Sequence, residues 1–179
     1  MKMTLRILGA TALFSILISS CKKGDTGPEG PAGPPGSPNV MYSAWFRPPS
    51  YQKDTIFGIW GFRFDKAEPK ITQQILDSGI VLTYGKLLGY NPAIWPTNRV
   101  SQLPITLNYL QSGKTHLDTW SAHATPANLR IRFVNDNNEY NVIAIQHEFR
   151  YIIIPGGVSV TGRRSLSYEE ICRTYGIPE

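Results

Sequence analysis

Cysteine is nearly absent from this sequence of 179 residues, which excludes a fold built on several disulfides. The two cysteines are Cys21 and Cys172. Cys21 directly follows an N-terminal export signal, and its role is considered with that signal below. Cys172 is then a single thiol with no intramolecular disulfide partner. Cys172 lies where a C-terminal helix would bury it. We interpret it as a small packed hydrophobic residue rather than a nucleophile.

Charge is also scarce. Charged residues make up 17% of the chain, and the formal net charge is +5. Lys2 and Arg6 belong to the N-terminal signal, so the chain without it carries 5 − 2 = +3. No run of lysine and arginine is present, which gives little support for nucleic-acid binding. The apolar fraction of 41% is too high for a disordered polyelectrolyte.

The sequence lacks the short motifs of common catalytic sites. It contains no HExxH zinc motif, P-loop, serine nucleophile elbow or CxxC pair. His116 and Asp118 share one face of a predicted strand, but a zinc or hydrolytic site would require both to converge with His147. No spacing demands that convergence. We therefore infer no catalytic residues, no metal site and no cofactor, and interpret the histidines as exposed or hydrogen-bonded strand residues.

Residues 1–20 have the three parts of a secretory signal peptide. Lys2 and Arg6 form the positive region, residues 7–18 are mostly apolar, and two small serines precede Cys21. A transmembrane helix needs ~20 apolar residues, so the apolar part is too short to span a bilayer comfortably.

Residues 24–38 carry glycine at every third position, as the triplets GDT, GPE, GPA, GPP and GSP. This is the collagen-like pattern, in which only glycine fits at the axis of three polyproline-II strands. Extended at ~3.1 Å per residue, the stretch would span roughly 45 Å. Two interpretations remain open: a proline-stiffened spacer, or a homotrimer held together by the globular domains and by confinement to a membrane.

Residues 39–179 predict one mainly-β globular domain. A helix is expected over 71–78, and a C-terminal helix is expected after a capping box formed by Ser167 and Glu170, with Gly176 ending it. This pattern favours an antiparallel β-sandwich-like fold with two short helices, with an α+β fold as the alternative. The strands are expected over residues 40–46, 55–64, 80–88, 105–110, 115–124, 128–134 and 139–154, the last as one long strand or two joined strands.

A long proline-containing loop over residues 89–104 carries Tyr90, Ile94 and Trp95. These apolar side chains either pack onto the domain or form an exposed contact patch. Trp95 lies beside Pro96 and is the best candidate for exposure. Trp95 and Tyr90 are therefore the candidate ligand contacts.

The tetrad Ile18-Ser19-Ser20-Cys21 resembles the lipobox of bacterial lipoproteins. With the glycine triplets and the C-terminal pattern Phe149-Arg-Tyr-Ile-Ile-Ile-Pro-Gly-Gly157, the whole chain resembles the collagen-like lipoproteins of Gram-negative bacteria. The resemblance implies that the signal is cut before Cys21, that its thiol takes a diacylglycerol and that the new amino group is acylated. Several acyl chains give stable anchoring, whereas one alone is marginal.

The same resemblance implies three regions: a signal peptide at 1–20, a lipidated cysteine and spacer at 21–38, and a β-rich domain of unknown role at 39–179. It implies a location in the cell envelope. Lys22 after the cysteine is compatible with sorting to the outer membrane. The family supplies no catalytic residues to compare.

Two functional hypotheses follow. The first is a non-enzymatic, lipid-anchored envelope protein that displays its β-rich domain on a short stalk for binding or structural contact. Its partners would be the membrane, further copies in a homotrimer, and an unknown envelope or extracellular ligand. The alternative is a carbohydrate- or peptide-active surface lipoprotein that uses the Trp95 loop and the face of His116 and Asp118. That alternative predicts an open groove bearing Trp95.

Overall fold

The structure is a computed structural model that describes residues 39–157 and 167–179. The predicted signal peptide, Cys21 and the predicted collagen-like spacer lie outside the described residues. No helix within the described ranges is long and apolar enough to cross a membrane.

The described residues form two antiparallel sheets and two helices, which confirms the predicted mainly-β, sandwich-like fold. One sheet has the strand order β2-β3-β8-β7-β6, and the other has the order β1-β9-β4-β5. The helices are α1 (Gln73–Ser78) and α2 (Tyr168–Tyr175). The strands are β1 (Met41–Tyr42), β2 (Gln52–Ile56), β3 (Ile59–Ala67), β4 (Ile80–Lys86), β5 (Val100–Gln102), β6 (Ile105–Gln111), β7 (Lys114–Thr125), β8 (Asn128–Asn135) and β9 (Glu148–Ile154).

Strand β8 shows why the five-stranded sheet has one buried face. Leu129, Ile131 and Phe133 alternate along it and are all buried in the core between the sheets. Arg130 and Arg132 point the other way, because successive side chains of a strand leave opposite faces. The guanidinium of Arg130 lies 2.7 Å from a carboxylate oxygen of Asp65.

The four-stranded sheet is buried on both faces. Strand β9 has six consecutive buried residues, from Phe149 to Ile154. One face packs against the five-stranded sheet, and the other packs against helix α2. Cys172 on that helix is buried, which confirms its interpretation as a packing residue. The run of three isoleucines in β9 is therefore explained by a sheet that is covered twice.

The helix ends agree in part with the sequence signals. Ser167 and Glu170 form the predicted capping box at the start of α2, and Gly176 ends the helix with a φ of 64°. At the start of α1, the hydroxyl of Thr72 accepts the Ile75 backbone N–H. Gly79 follows α1, and its φ of −108° is extended rather than left-handed.

The strand predicted over 55–64 is instead a hairpin of β2 and β3. Phe57 and Gly58 form its turn, with φ angles of 48° and 80°. Two positive φ angles are the mark of a type I′ turn, which usually carries Asn-Gly. The sequence holds phenylalanine in the place of asparagine, so the turn signal was missed.

Two further strand predictions were too long. Only Met41–Tyr42 and an isolated bridge from Phe46 to Phe149 form in place of the strand expected over 40–46. The side chain of Ser43 interrupts the ladder, because its hydroxyl accepts the Tyr151 backbone N–H. Residues 139–147 form an irregular loop before β9 instead of extending it.

The first described residues and the long loops lie at opposite ends of the sandwich. Met41 pairs with Ile153 at one end of the four-stranded sheet, so the described chain begins there. Lys86 pairs with Glu148 at the other end, and the loops over 87–99 and 136–147 lie beyond them. The five strand steps from Ile153 to Glu148 correspond to about 17 Å.

We expect Phe57→Asn to stabilise the protein by about 1 kcal/mol, because asparagine tolerates positive φ and phenylalanine does not. The Phe57 side chain is fully exposed and loses no packing on replacement. Chemical denaturation measures the effect. Phe57→Ala is the matched control, since alanine removes the ring without favouring the turn. Equal stabilities of the two variants would contradict the assignment of strain.

Candidate functional site

A cleft of about 220 Å³ lies at the end of the sandwich remote from Asn39. The strands β7 and β8 form its floor, the chain after β4 forms one wall, and the loop 136–147 forms the other. A second depression shares Gly89, Tyr90 and Tyr140 with it. The residues that line the cleft are Leu88, Gly89, Tyr90, Asp118, Trp120, Phe133, Tyr140, Val142, Ile143, Ala144, Gln146 and His147.

Asp118 is the hydrogen-bonding centre of this cleft. Its Oδ2 accepts hydrogen bonds from the hydroxyls of Tyr90 and Tyr109, each at 3.0 Å. Its Oδ1 accepts the side-chain amide of Asn135 at 2.8 Å. The residue is 1% exposed. None of the ion pairs among the described residues includes Asp118.

Three tyrosines extend the network and remain protonated. The hydroxyls of Tyr109 and Tyr140 lie 2.9 Å apart, and the Tyr90 hydroxyl accepts the indole N–H of Trp120 at 3.3 Å. Burial is the largest cause that raises the pKa of each of the three phenols, and the charge of Asp118 raises each pKa further. The tyrosines are therefore hydrogen-bond donors and not phenolate nucleophiles.

His147 is a neutral donor in the cleft wall. Its Nδ1 accepts the Leu88 backbone N–H at 3.0 Å, so the ring proton resides on Nε2. The ring packs edge-on against Trp120, with the ring centres 4.6 Å apart. Burial lowers the pKa of His147 to about 4. With Nδ1 committed to the backbone, Nε2 keeps its proton and offers no lone pair to a metal.

The structure brings His116, Asp118 and His147 to one aromatic cluster without joining them. His116 is buried beside Asp118 on β7 and stacks on Tyr109, with the ring centres 5.1 Å apart. Its Nδ1 lies 3.1 Å from Glu139 Oε2, but without hydrogen-bond geometry. The rings of Tyr109 and Tyr90 stand between His116 and His147. Within residues 39–157 and 167–179, no group of three His, Cys, Asp or Glu residues could hold a metal ion.

Of the two alternatives left open for the loop 89–104, Trp95 follows the first and packs onto the domain, so its choice as the best candidate for exposure is wrong. Its side chain is 4% exposed and belongs to the main core. The backbone N–H groups of Ile94 and Trp95 both donate to the carbonyl of Asn91, so a tight turn folds the indole inward. The guanidinium carbon of Arg99 lies 4.6 Å from the centre of the indole and covers it. Tyr90, the other candidate ligand contact, does line the cleft.

Sequence reasoning missed Tyr109, Asn135 and Tyr140. Tyr109 could have been found, because the strands predicted over 105–110 and 115–124 pair as a hairpin that places it directly opposite His116. Asn135 lies just outside the strand predicted over 128–134, so no strand pattern marked it. Tyr140 was assigned to a strand that does not form.

No family model, no curated protein and no solved structure matches this chain.

Proposed function

We propose that this protein is a lipid-anchored cell-envelope protein that displays its β-rich domain on a short collagen-like stalk. The domain serves binding or structural contact, and no catalytic step is proposed for it. The lipobox-like tetrad ending at Cys21, followed directly by the glycine triplets of residues 24–38, is the observation that carries this proposal. Lys22 after the cysteine supports sorting to the outer membrane.

The position of residue 39, where the proposed stalk joins the domain, supports a cleft that stays accessible to a ligand. The described chain begins beside Ile153, while the cleft lies at the end of the sandwich beyond Glu148. Residue 39 therefore lies at the opposite end of the domain from the cleft. A homotrimer held together by the globular domains and by confinement to the membrane is a separate hypothesis that this proposal does not require.

The alternative of a carbohydrate- or peptide-active lipoprotein loses its main support. It depended on Trp95 as an exposed stacking surface, and that indole is in the core. It also depended on the face of His116 and Asp118. Both residues are buried, and Asp118 is occupied by hydrogen bonds from Tyr90, Tyr109 and Asn135.

Metabolic labelling with radioactive palmitate tests the anchor. Wild-type protein should incorporate label and partition into the membrane fraction, because the acyl chains are attached at Cys21. Cys21→Ala should lose essentially all of the label. Cys172→Ala is the matched control and should label like wild type, since it keeps the lipobox cysteine. Equal labelling of the Cys21→Ala protein would refute the anchor.

A further inference from the structure

We propose that the cleft around Asp118 binds a small organic ammonium ion, which is attracted by the charge of the buried carboxylate and held against the surrounding aromatic rings. This inference rests on the binding role proposed above and names the chemical class of the ligand. It concerns the domain itself, so it can fail while the lipid anchor stands.

The first argument is the charge of the cleft. The Asp118 carboxylate is buried, yet its hydrogen-bond partners are the neutral side chains of Tyr90, Tyr109 and Asn135. Buried charges in proteins are normally paired with an opposite charge. His147, the other ionisable group of the cleft lining apart from the tyrosines, is neutral at pH 7 because burial holds its pKa at about 4. The cleft therefore has a net negative charge that a cationic ligand would balance.

The second argument is the aromatic lining. Tyr90, Trp120, Phe133 and Tyr140 all contribute to the walls. The faces of aromatic rings attract cations, and rings grouped around one space are the known way of recognising quaternary ammonium groups. Because the tyrosine hydroxyls donate to Asp118 or to each other, the rings are held in place before any ligand arrives.

The polar groups of the cleft argue against a sugar. The Tyr90 hydroxyl and the Trp120 indole are bonded to each other, and the Gln146 side-chain amide donates to the Leu88 carbonyl at 2.8 Å. A sugar ring needs several free donors and acceptors, and each unpaired hydroxyl in a buried site is costly. An ammonium ion with an apolar skeleton makes no such demand.

The size of the cleft limits the ligand. A volume of about 220 Å³ corresponds to roughly seven water molecules at ~30 Å³ each. A ligand with a similar number of non-hydrogen atoms fits. Val142, Ile143 and Ala144 on the loop wall offer apolar contact for its carbon skeleton.

Titrations of the full-length protein in maltoside detergent test this proposal. Choline is the cationic probe, and 3,3-dimethyl-1-butanol is its neutral isostere with the same shape. Tryptophan fluorescence reports binding through Trp120, and calorimetry gives the dissociation constants. We expect choline to bind at least ~10-fold more tightly than the isostere, because only the cation gains from the carboxylate and the ring faces. Equal affinity, or no choline binding at millimolar concentrations, would overturn the proposal.

Variants locate the site. Asp118→Asn should weaken choline binding at least ~10-fold, because the amide keeps the shape and loses the charge. Tyr140→Leu should weaken it as well, whereas Tyr140→Phe keeps the ring face and should retain it. Asp65→Asn is the matched control, because it removes a carboxylate on the outer face of the sheet. If Asp118→Asn does not fold, two measurements still test the proposal. They are the comparison of choline with its isostere on wild-type protein and the choline affinities of the Tyr140 variants. Unchanged binding in Tyr140→Leu would contradict the site.

The result is distinguishable from a failure of the anchor. Protein that labels with palmitate and does not bind choline would retain the proposed function and lose this inference. Where choline binds, a titration with glycerophosphocholine distinguishes the source of the ligand. Binding as tight as that of choline indicates a lipid headgroup, and weaker binding indicates a free ammonium ion.

Discussion

Arg150→Met is expected to lower the free energy of unfolding by about 3 kcal/mol or more, the largest effect of any substitution considered for this protein. Arg150 is on β9 and only 3% exposed. Its Nε donates to the carbonyl of Ser43 at 2.9 Å, and its Nη1 donates to the Tyr168 hydroxyl at 2.6 Å and to the Pro178 carbonyl. The Arg150 guanidinium thus links Ser43 after β1, helix α2 and Pro178 near the end of the chain.

The large effect follows from what the substitution leaves behind. Methionine fills much of the arginine volume but donates no hydrogen bonds, so three acceptors lose their donor in or near the core. An acceptor left unsatisfied on burial costs about 1–3 kcal/mol. The guanidinium carbon also lies 5.0 Å from the ring centre of Tyr42, and that cation–π contact is lost as well.

Chemical denaturation followed by tryptophan fluorescence measures this loss. Arg130→Met is the matched control: Arg130 pairs with Asp65 on the exposed face of the sheet, and such a pair contributes about 0–1 kcal/mol. A second measurement is the rate at which a thiol reagent modifies Cys172, which helix α2 buries. The rate should rise in Arg150→Met because the helix loses a tie to the sheet. Equal stabilities for Arg150→Met and Arg130→Met would contradict the role assigned to Arg150.

The parts of the fold that could be predicted are those specified by neighbouring residues. The alternation of Leu129, Ile131 and Phe133 fixes which face of β8 is buried, since the period of a strand is two residues. The capping box of Ser167 and Glu170 is likewise a local pattern, and it lies where the sequence indicates. Such signals need no knowledge of the distant chain.

Arg150 had no such signal. Its partners Ser43 and Pro178 are 107 and 28 residues away along the chain. An arginine within the run Phe149–Ile154 suggested nothing beyond a strand. The burial of Trp95 was left open for a related reason: its loop is rich in proline, and loops usually lie on the surface. The turn at Asn91 that folds the indole inward depends on the core space available to it.

The candidate site was predicted only in fragments. His116 and Asp118 were correctly placed on one face of β7. Tyr90 lines the cleft, and its contact with a ligand stays a prediction. The link between them is the Tyr90 hydroxyl, which reaches Asp118 across 28 residues. The residues around Tyr140 show no alternation of apolar and polar side chains that could have predicted their position. Turns at Asn135 and Asn138, rather than a strand, determine the backbone of this loop.

His147 should make the protein lose about 3 kcal/mol of stability on acidification from pH 6.5 to pH 4. Burial lowers the pKa of His147 to about 4 from an ordinary value of 6.5. The unfolded chain therefore takes up a proton at His147 below pH 6.5, while the folded protein does not until about pH 4. Stability from this residue is complete above pH 6.5 and falls through that window. A difference of about 2.5 pKa units corresponds to about 3 kcal/mol.

His147→Asn isolates this contribution. The asparagine carbonyl can accept the Leu88 backbone N–H in place of Nδ1, and it does not titrate. We expect the variant to show a flatter dependence of unfolding free energy on pH between 6.5 and 4. The exposed His123, changed to asparagine, is the matched control and should leave the wild-type dependence unaltered.

Other groups titrate in acid, but they do so in both proteins. The pKa of Asp65 is lowered, chiefly by its hydrogen bond from Arg130, so its contribution is lost as the pH falls towards that lowered value. The difference between wild type and His147→Asn cancels such terms, and it should change only within the window between pH 6.5 and pH 4. A constant difference across that window would mean that the His147 ring contributes packing alone and takes no part in the acid response. A difference that grows by about 3 kcal/mol towards pH 7 would show that the cleft wall excludes water from this imidazole.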